Sequence, residues 1–177
     1  MITDNDTLPT HRHSWKMCGA CSAYCHNKVL YRGGNTCTYL FIGGSPGMSE
    51  DVMGEPLTGV AGKMFDDLMS QSNCIDFGIT YLVACTPTTS SARNRIRDPV
   101  KEEIEACRNR IDELIEIVTP KFYISLGTLA KKHPPSGITY HLHLDDPNKI
   151  YNQSPNRHKV AFNRNKNRLK SFVRDNG

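Results

Sequence analysis

Tyr39-Leu40-Phe41-Ile42-Gly43-Gly44-Ser45-Pro46-Gly47 is the stretch on which the fold turns. Four apolar residues in a row, stopped by a glycine pair, read as a strand buried on both faces, since a half-exposed strand would alternate. Such strands belong to parallel sheets covered by helices on both sides. The turn that follows lies at the strand's carboxyl end, where open α/β sheets place their ligands. Its glycines leave backbone N–H groups bare for a phosphate or a planar base. The turn lacks the glycine-lysine-serine/threonine ending of a P-loop and does not match the dinucleotide fingerprint.

Working outward, Ile79-Thr80-Tyr81-Leu82-Val83-Ala84 and Phe122-Tyr123-Ile124-Ser125-Leu126 read as further strands, with a weaker fourth at Ile138-Thr139-Tyr140-His141-Leu142. Helical spacing runs from about Val60 through Met64, Phe65, Leu68 and Met69. A clearer helix runs from Pro99 to Val118, where Val100, Ile104, Cys107, Ile111, Leu114, Ile115 and Val118 share a face and Asp98-Pro99 opens it. A last helix begins near Ser154-Pro155. Residues 1–13 read as a loose arm. The expected fold is α/β, a three-layer sandwich around a four-stranded, mostly parallel sheet, forming one domain over residues 1–177.

The 177 residues are 38% apolar and 23% charged, which suits a globular domain. No run approaches the roughly 20 apolar residues of a membrane span. Met1 to His13 carries no apolar leader segment, so the expectation is a cytoplasmic chain without a membrane partner, and a monomer. The net charge of +4 is unevenly spread. Arg157 to Gly177 carries seven basic residues against Asp175, a net +6 that leaves the remainder at −2. A basic block on a mildly acidic body points to a polyanion, or else to a solvated helix face.

Seven cysteines are too many to pass over in a reducing compartment, where clustered thiols read as metal ligands before disulfides. Cys18-Gly19-Ala20-Cys21 with Cys25-His26 suits zinc, with His11 or His13 completing a tetrahedral site. Cys85, at a strand end, and Cys107, on a helix face, read singly as buried small hydrophobes. Brought to one corner of the sheet with Cys18 and Cys21, they would supply the four thiolates of a [4Fe–4S] cluster. Cys37 and Cys74 read as ordinary core cysteines.

Leu40 to Gly47, with Glu50-Asp51 and Gly54-Glu55-Pro56-Leu57-Thr58-Gly59-Val60-Ala61-Gly62, resembles the uracil-DNA glycosylase superfamily, above all its iron–sulfur family-four branch. Arg97-Asp98-Pro99 through Cys107, Leu126-Gly127-Thr128-Leu129-Ala130 and Thr139-Tyr140-His141 continue the likeness in order over about residues 16–145. The resemblance implies a [4Fe–4S] cluster on Cys18, Cys21, Cys85 and Cys107, with zinc the alternative. It further implies DNA, single- or double-stranded, as partner and His141 as the stabiliser of the leaving base, with His143 its rival. Gly43, Gly44, Ser45, Pro46, Gly47, Leu57 and Tyr81 would line the base pocket.

Several positions depart from the family. The water-positioning glutamate of the loop is Gly44, the base-stacking phenylalanine is Leu57, the uracil-reading asparagine is Tyr81, and the proline after the histidine is Leu142. Losing an aromatic platform costs roughly 1–3 kcal/mol of stacking. Losing the amide removes the contact on which selectivity for uracil rests. A modified or uracil-like pyrimidine is therefore the expected substrate, with a non-hydrolytic DNA- or base-binding protein, or a part in base modification, as the alternative. Arg93, Arg95 and Arg97 between Cys85 and Cys107, and Arg164, Lys166 and Arg168 in the basic tail, are the expected phosphate contacts.

Overall fold

The computed structural model describes residues 7–21, 27–89 and 92–177, without the side chains of 92–94. In chain order the elements are α1 (Leu8–Lys16), β1 (Tyr39–Gly43), α2 (Met48–Met53), α3 (Val60–Gln71), β2 (Phe77–Tyr81), β3 (Thr88–Thr89), β4 (Ala92–Ile96), α4 (Lys101–Ala106), α5 (Arg108–Val118), β5 (Phe122–Leu126), α6 (Gly127–Lys132), β6 (Leu142–Leu144), α7 (Pro147–Tyr151) and α8 (Pro155–Asn176). The central sheet has the order β2-β1-β5-β6, and every pairing in it is parallel. β3 and β4 form a separate antiparallel pair.

Every residue of β1 is buried, as its unbroken apolar run requires of a strand between two helical layers. Leu40 and Ile42 point to one face and pack with Leu8 of α1, Ile104 of α4, Ile111, Leu114 and Val118 of α5, and Ala130 of α6. Tyr39 and Phe41 point to the other and meet Phe65, Leu68 and Met69 of α3 and Leu169 of α8. There Phe41, Phe65 and Phe77 stand edge to face, with centroids 5.2–6.2 Å apart, the arrangement that ring quadrupoles favour.

Four expectations shift. The second strand, expected over 79–84, is Phe77–Tyr81, so Cys85 lies four residues beyond its end. Leu8–Lys16 is a helix where the sequence suggested a loose arm; Thr7 caps it and His11 anchors it, its Nε2–H donating to the Arg110 carbonyl at 2.9 Å. The helix expected over 99–118 is two helices meeting at Cys107. The fourth strand is Leu142–Leu144, a few residues beyond the expected 138–142. The last shift changes which residues reach the ligand end of the sheet.

Candidate functional site

The carboxyl ends of β1, β2 and β6 converge around the glycine turn. Gly43 lies flat against the ring of Tyr81, and a Cβ at 43 would come within 2.6 Å of it, so glycine is required there. Tyr81 closes β2 and is 3% exposed. Its hydroxyl donates to Glu50 Oε1 at 3.2 Å, while Glu50 Oε2 accepts the Gly47 N–H at 3.0 Å. Glu50, buried in the first turn of α2, thus holds turn and tyrosine together. Leu57 is buried with φ +50, and its carbonyl sits where a Cβ on Gly62 would be, 1.8 Å away. A Cβ at Gly44 would stand 2.9 Å from Leu129 Cδ2, so any side chain at 44 requires that leucine to swing aside.

Asp146 completes this end. It follows β6, caps α7 by accepting the Asn148 N–H on Oδ1 at 2.8 Å, and abuts Gly127, which opens α6 at φ +84. Burial, then the charge of Glu50, pushes its carboxyl above the ordinary carboxylate range. Burial and the facing Glu50 and Asp146 carboxylates keep the Tyr81 phenol protonated far above its usual range. The backbone of Asp145, just before Asp146, is held by a residue that sequence reading missed. Buried Asn165 of α8 accepts the Asp145 N–H and donates to the Asp145 carbonyl, both at 3.0 Å. An asparagine in helical register with Ala161 and Leu169, four residues from each, was the available signal.

His141 is not at this end. It precedes β6, its N–H donates to the Tyr123 carbonyl at 2.9 Å, and its Nδ1 accepts the Tyr123 N–H at 3.1 Å. Tyr123 is level with Leu40, three residues before Gly43, so the imidazole sits about 10 Å back along the strand direction. It is exposed and stacks on Tyr123. His143 lies one strand repeat nearer, with Nδ1 bonded to Ser125 Oγ at 2.6 Å. The residue that stands before a proline at the carboxyl end of β6 is Asp146.

Cys18 and Cys21 beyond α1, Cys85 beyond β2 and Cys107 at the α4–α5 junction line one cavity of about 80 Å³, with Lys28 and Arg110 in its wall. Lys28 Nζ donates to Cys85 Sγ at 3.2 Å. Among the described residues no three His, Cys, Asp or Glu side chains close on a point that would hold one ion. His11 is committed to the Arg110 carbonyl, and Cys25 and His26 lie outside the described residues.

The expected phosphate contacts divide. Arg97 grips the buried Glu103 through both guanidinium nitrogens at 2.8 and 2.6 Å and also donates to the Thr88 and Asp98 carbonyls. It is a structural residue. Arg164 is paired with Asp145. Arg95 and Arg168 are exposed and Lys166 is half-buried, while the Arg93 side chain lies outside the described residues.

A profile described as the Uracil DNA glycosylase superfamily matches residues 32–175. Three type-4 uracil-DNA glycosylases are similar to the chain. That of Saccharolobus solfataricus is 36% identical over 104 residues, covering 57% of this chain and 45% of that protein. That of Pyrobaculum aerophilum is 32% identical over 134 residues, covering 75% and 60%. That of Thermotoga maritima is 32% identical over 134 residues, covering 73% and 67%. The chain belongs to the uracil-DNA glycosylase superfamily, in its family-four branch.

The chain spans about half to two thirds of the length of these curated relatives. In this uracil-DNA glycosylase fold Tyr81 packs on Gly43 of the glycine turn, Leu57 packs on Gly62, and Cys18, Cys21, Cys85 and Cys107 line one cavity. The titratable residues that follow β6 are Asp145 and Asp146, both carboxyls. No helix among the described residues is long and apolar enough to cross a membrane.

Proposed function

We propose that this protein hydrolyses the N-glycosidic bond of a modified, uracil-like pyrimidine flipped out of DNA. The observation that carries this reading is buried Glu50 accepting from both Tyr81 and the glycine turn, with Asp146 packed against Gly127 at the same end of the sheet. A pyrimidine leaves with the bonding electron pair, so a donor beside it lowers the barrier. Asp146, held toward its protonated form by burial, supplies that proton as a general acid. Water adds its oxygen to the sugar carbon and releases its proton to solvent. Both oxygens of Glu50 are already engaged, so Glu50 positions the turn and Tyr81 and does not activate the water.

The pocket argues against uracil itself. Tyr81 has no amide to read the base edge, and Leu57 offers no aromatic face on which uracil would stack. Cys18, Cys21, Cys85 and Cys107 would hold a [4Fe–4S] cluster. A ring of thiols around a cavity suits a cluster, in which each sulfur binds its own iron, better than zinc, which draws its ligands to one point. The cluster would supply a tie between the segment after α1, the end of β2 and the α4–α5 junction.

The test is base release from oligonucleotides carrying uracil or 5-hydroxymethyluracil. The expected result is release of 5-hydroxymethyluracil, little release of uracil, and a loss of about 100-fold or more in Asp146→Asn. Tyr81's burial over Gly43 favours a second reading, in which the protein binds DNA without cleaving it. DNA binding with no release from any substrate would establish that reading instead.

A further inference from the structure

Arg110 is the largest fully buried side chain in the molecule's described core, 1% exposed, and among the described residues no carboxylate pairs with it. Its hydrogen bonds go to neutral groups: the Thr80 hydroxyl at 3.2 Å, the Leu30 and Leu82 carbonyls at 3.4 Å each, and the Tyr81 carbonyl. Its Nε has no hydrogen-bond partner there. A guanidinium carried out of water without a counter-charge is a large penalty, and natural cores avoid it. The groups that face it across the cavity are the thiols of Cys107, Cys85 and Cys18, which become anionic only as metal ligands. Arg110 follows Cys107 by three residues, which puts both on one side of the helix and the guanidinium in the cavity wall. The ammonium of Lys28 stands in the same wall, on Cys85.

Given the cluster proposed above, we propose that Arg110 and Lys28 are its charge partners, a cationic pair built into the wall that stabilises the more negative, reduced form. Four thiolates outweigh the charge of the iron–sulfide core, so the assembly is an anion, and each added electron makes it more so. Cations fixed in a poorly hydrated wall lower the energy of the more negative state most, because little water screens them. Arg110 explains itself on the same terms: the anion is the missing partner of a buried cation. Because the same guanidinium holds the Tyr81 and Leu82 carbonyls, it also links the cysteine cavity to the strand end that carries the pocket tyrosine.

The test is a spectroscopic redox titration of the purified protein, with iron and acid-labile sulfide measured on the same samples, for the native chain, Arg110→Met and Lys28→Gln. The expected result is iron and sulfide in all three, with the midpoint potential moved to more negative values in both variants and further in Arg110→Met. Variants that keep the cluster and the native midpoint overturn the proposal while leaving the cluster itself standing. A native protein free of iron and sulfide overturns both. Should Arg110→Met fail to assemble the cluster, Lys28→Gln decides alone, since Lys28 is half-buried at the cavity's edge and tolerates replacement: a negative shift supports the proposal, and an unchanged midpoint ends it.

Discussion

Asp146 caps α7 and is buried near Glu50, and the two circumstances pull its titration in opposite directions. As the cap of α7 it accepts a backbone N–H, which favours the carboxylate, but burial and the nearby Glu50 outweigh this and raise its pKa. The native state therefore holds the proton more tightly than the unfolded chain, and stability falls as pH rises from the ordinary carboxylate range through the raised value. Asn caps a helix as well as Asp does but has no proton to lose. Asp146→Asn should match the native chain in urea midpoint at the acid end and surpass it progressively toward neutral pH. Parallel profiles would show that the carboxyl titrates as it does in the unfolded chain. Nothing in the sequence announced this residue. Thr139-Tyr140-His141 resembles the family's histidine segment, but the strand is Leu142–Leu144, so this segment precedes the strand and Asp146 follows it.

At the scale of elements, what the sequence disclosed were the segments whose burial is written in unbroken apolar runs: β1, β2 and β5, and helices α3, α5 and α8 by their spacing. What it concealed depends on contacts between distant residues. Helix α1 is polar on average, and its place is fixed by Leu8 in the core and by His11 on α5. The break at Cys107 divides a segment whose periodicity alone runs through. Arg97 looked like a free loop cation because its partner, Glu103, is charged and lies on a helix. In the fold Glu103 is 3% exposed, accepts the Val100 N–H at 2.9 Å and receives both arms of Arg97. That guanidinium, and the Val100 N–H after it, hold the Glu103 carboxyl below its ordinary value. Arg97→Met leaves a buried carboxylate short of its cation and should cost about 2–3 kcal/mol. The cost should be measurable by urea unfolding at neutral pH and should shrink as acid protonates Glu103. A loss of DNA affinity at unchanged stability would mean instead that Arg97 reaches phosphate.

For the whole molecule, the proposed function requires an acidic body with one basic helix to meet DNA at the end that carries the glycine turn. Helix α8 runs antiparallel to the sheet. Asn165 lies at the carboxyl end of β6, while Phe172 meets Tyr39 and Phe122 at the opposite, starting ends of β1 and β5. The helix carries its charges along its length, so position decides which of them serve the pocket. Arg157 and Lys159 are exposed on the turns beyond Asn165, on the side of the glycine turn. Arg164 is occupied by Asp145, and Arg174 by Asp175 and Ser171 at the far end. The helix cannot simply be removed, because Ala161, Asn165 and Leu169 are part of the core. Charge has to be deleted from its surface. Replacing Arg157 and Lys159 with Gln should weaken DNA binding and flatten its dependence on salt by close to two released counterions, since each phosphate contact contributes about 0.9 to that slope. The same change at Lys170 and Arg174 should leave the slope near its native value. Equal effects from the two pairs would mean that DNA lies along the whole helix, and no effect from either would place the phosphate track elsewhere, with Arg95 the first cation to examine.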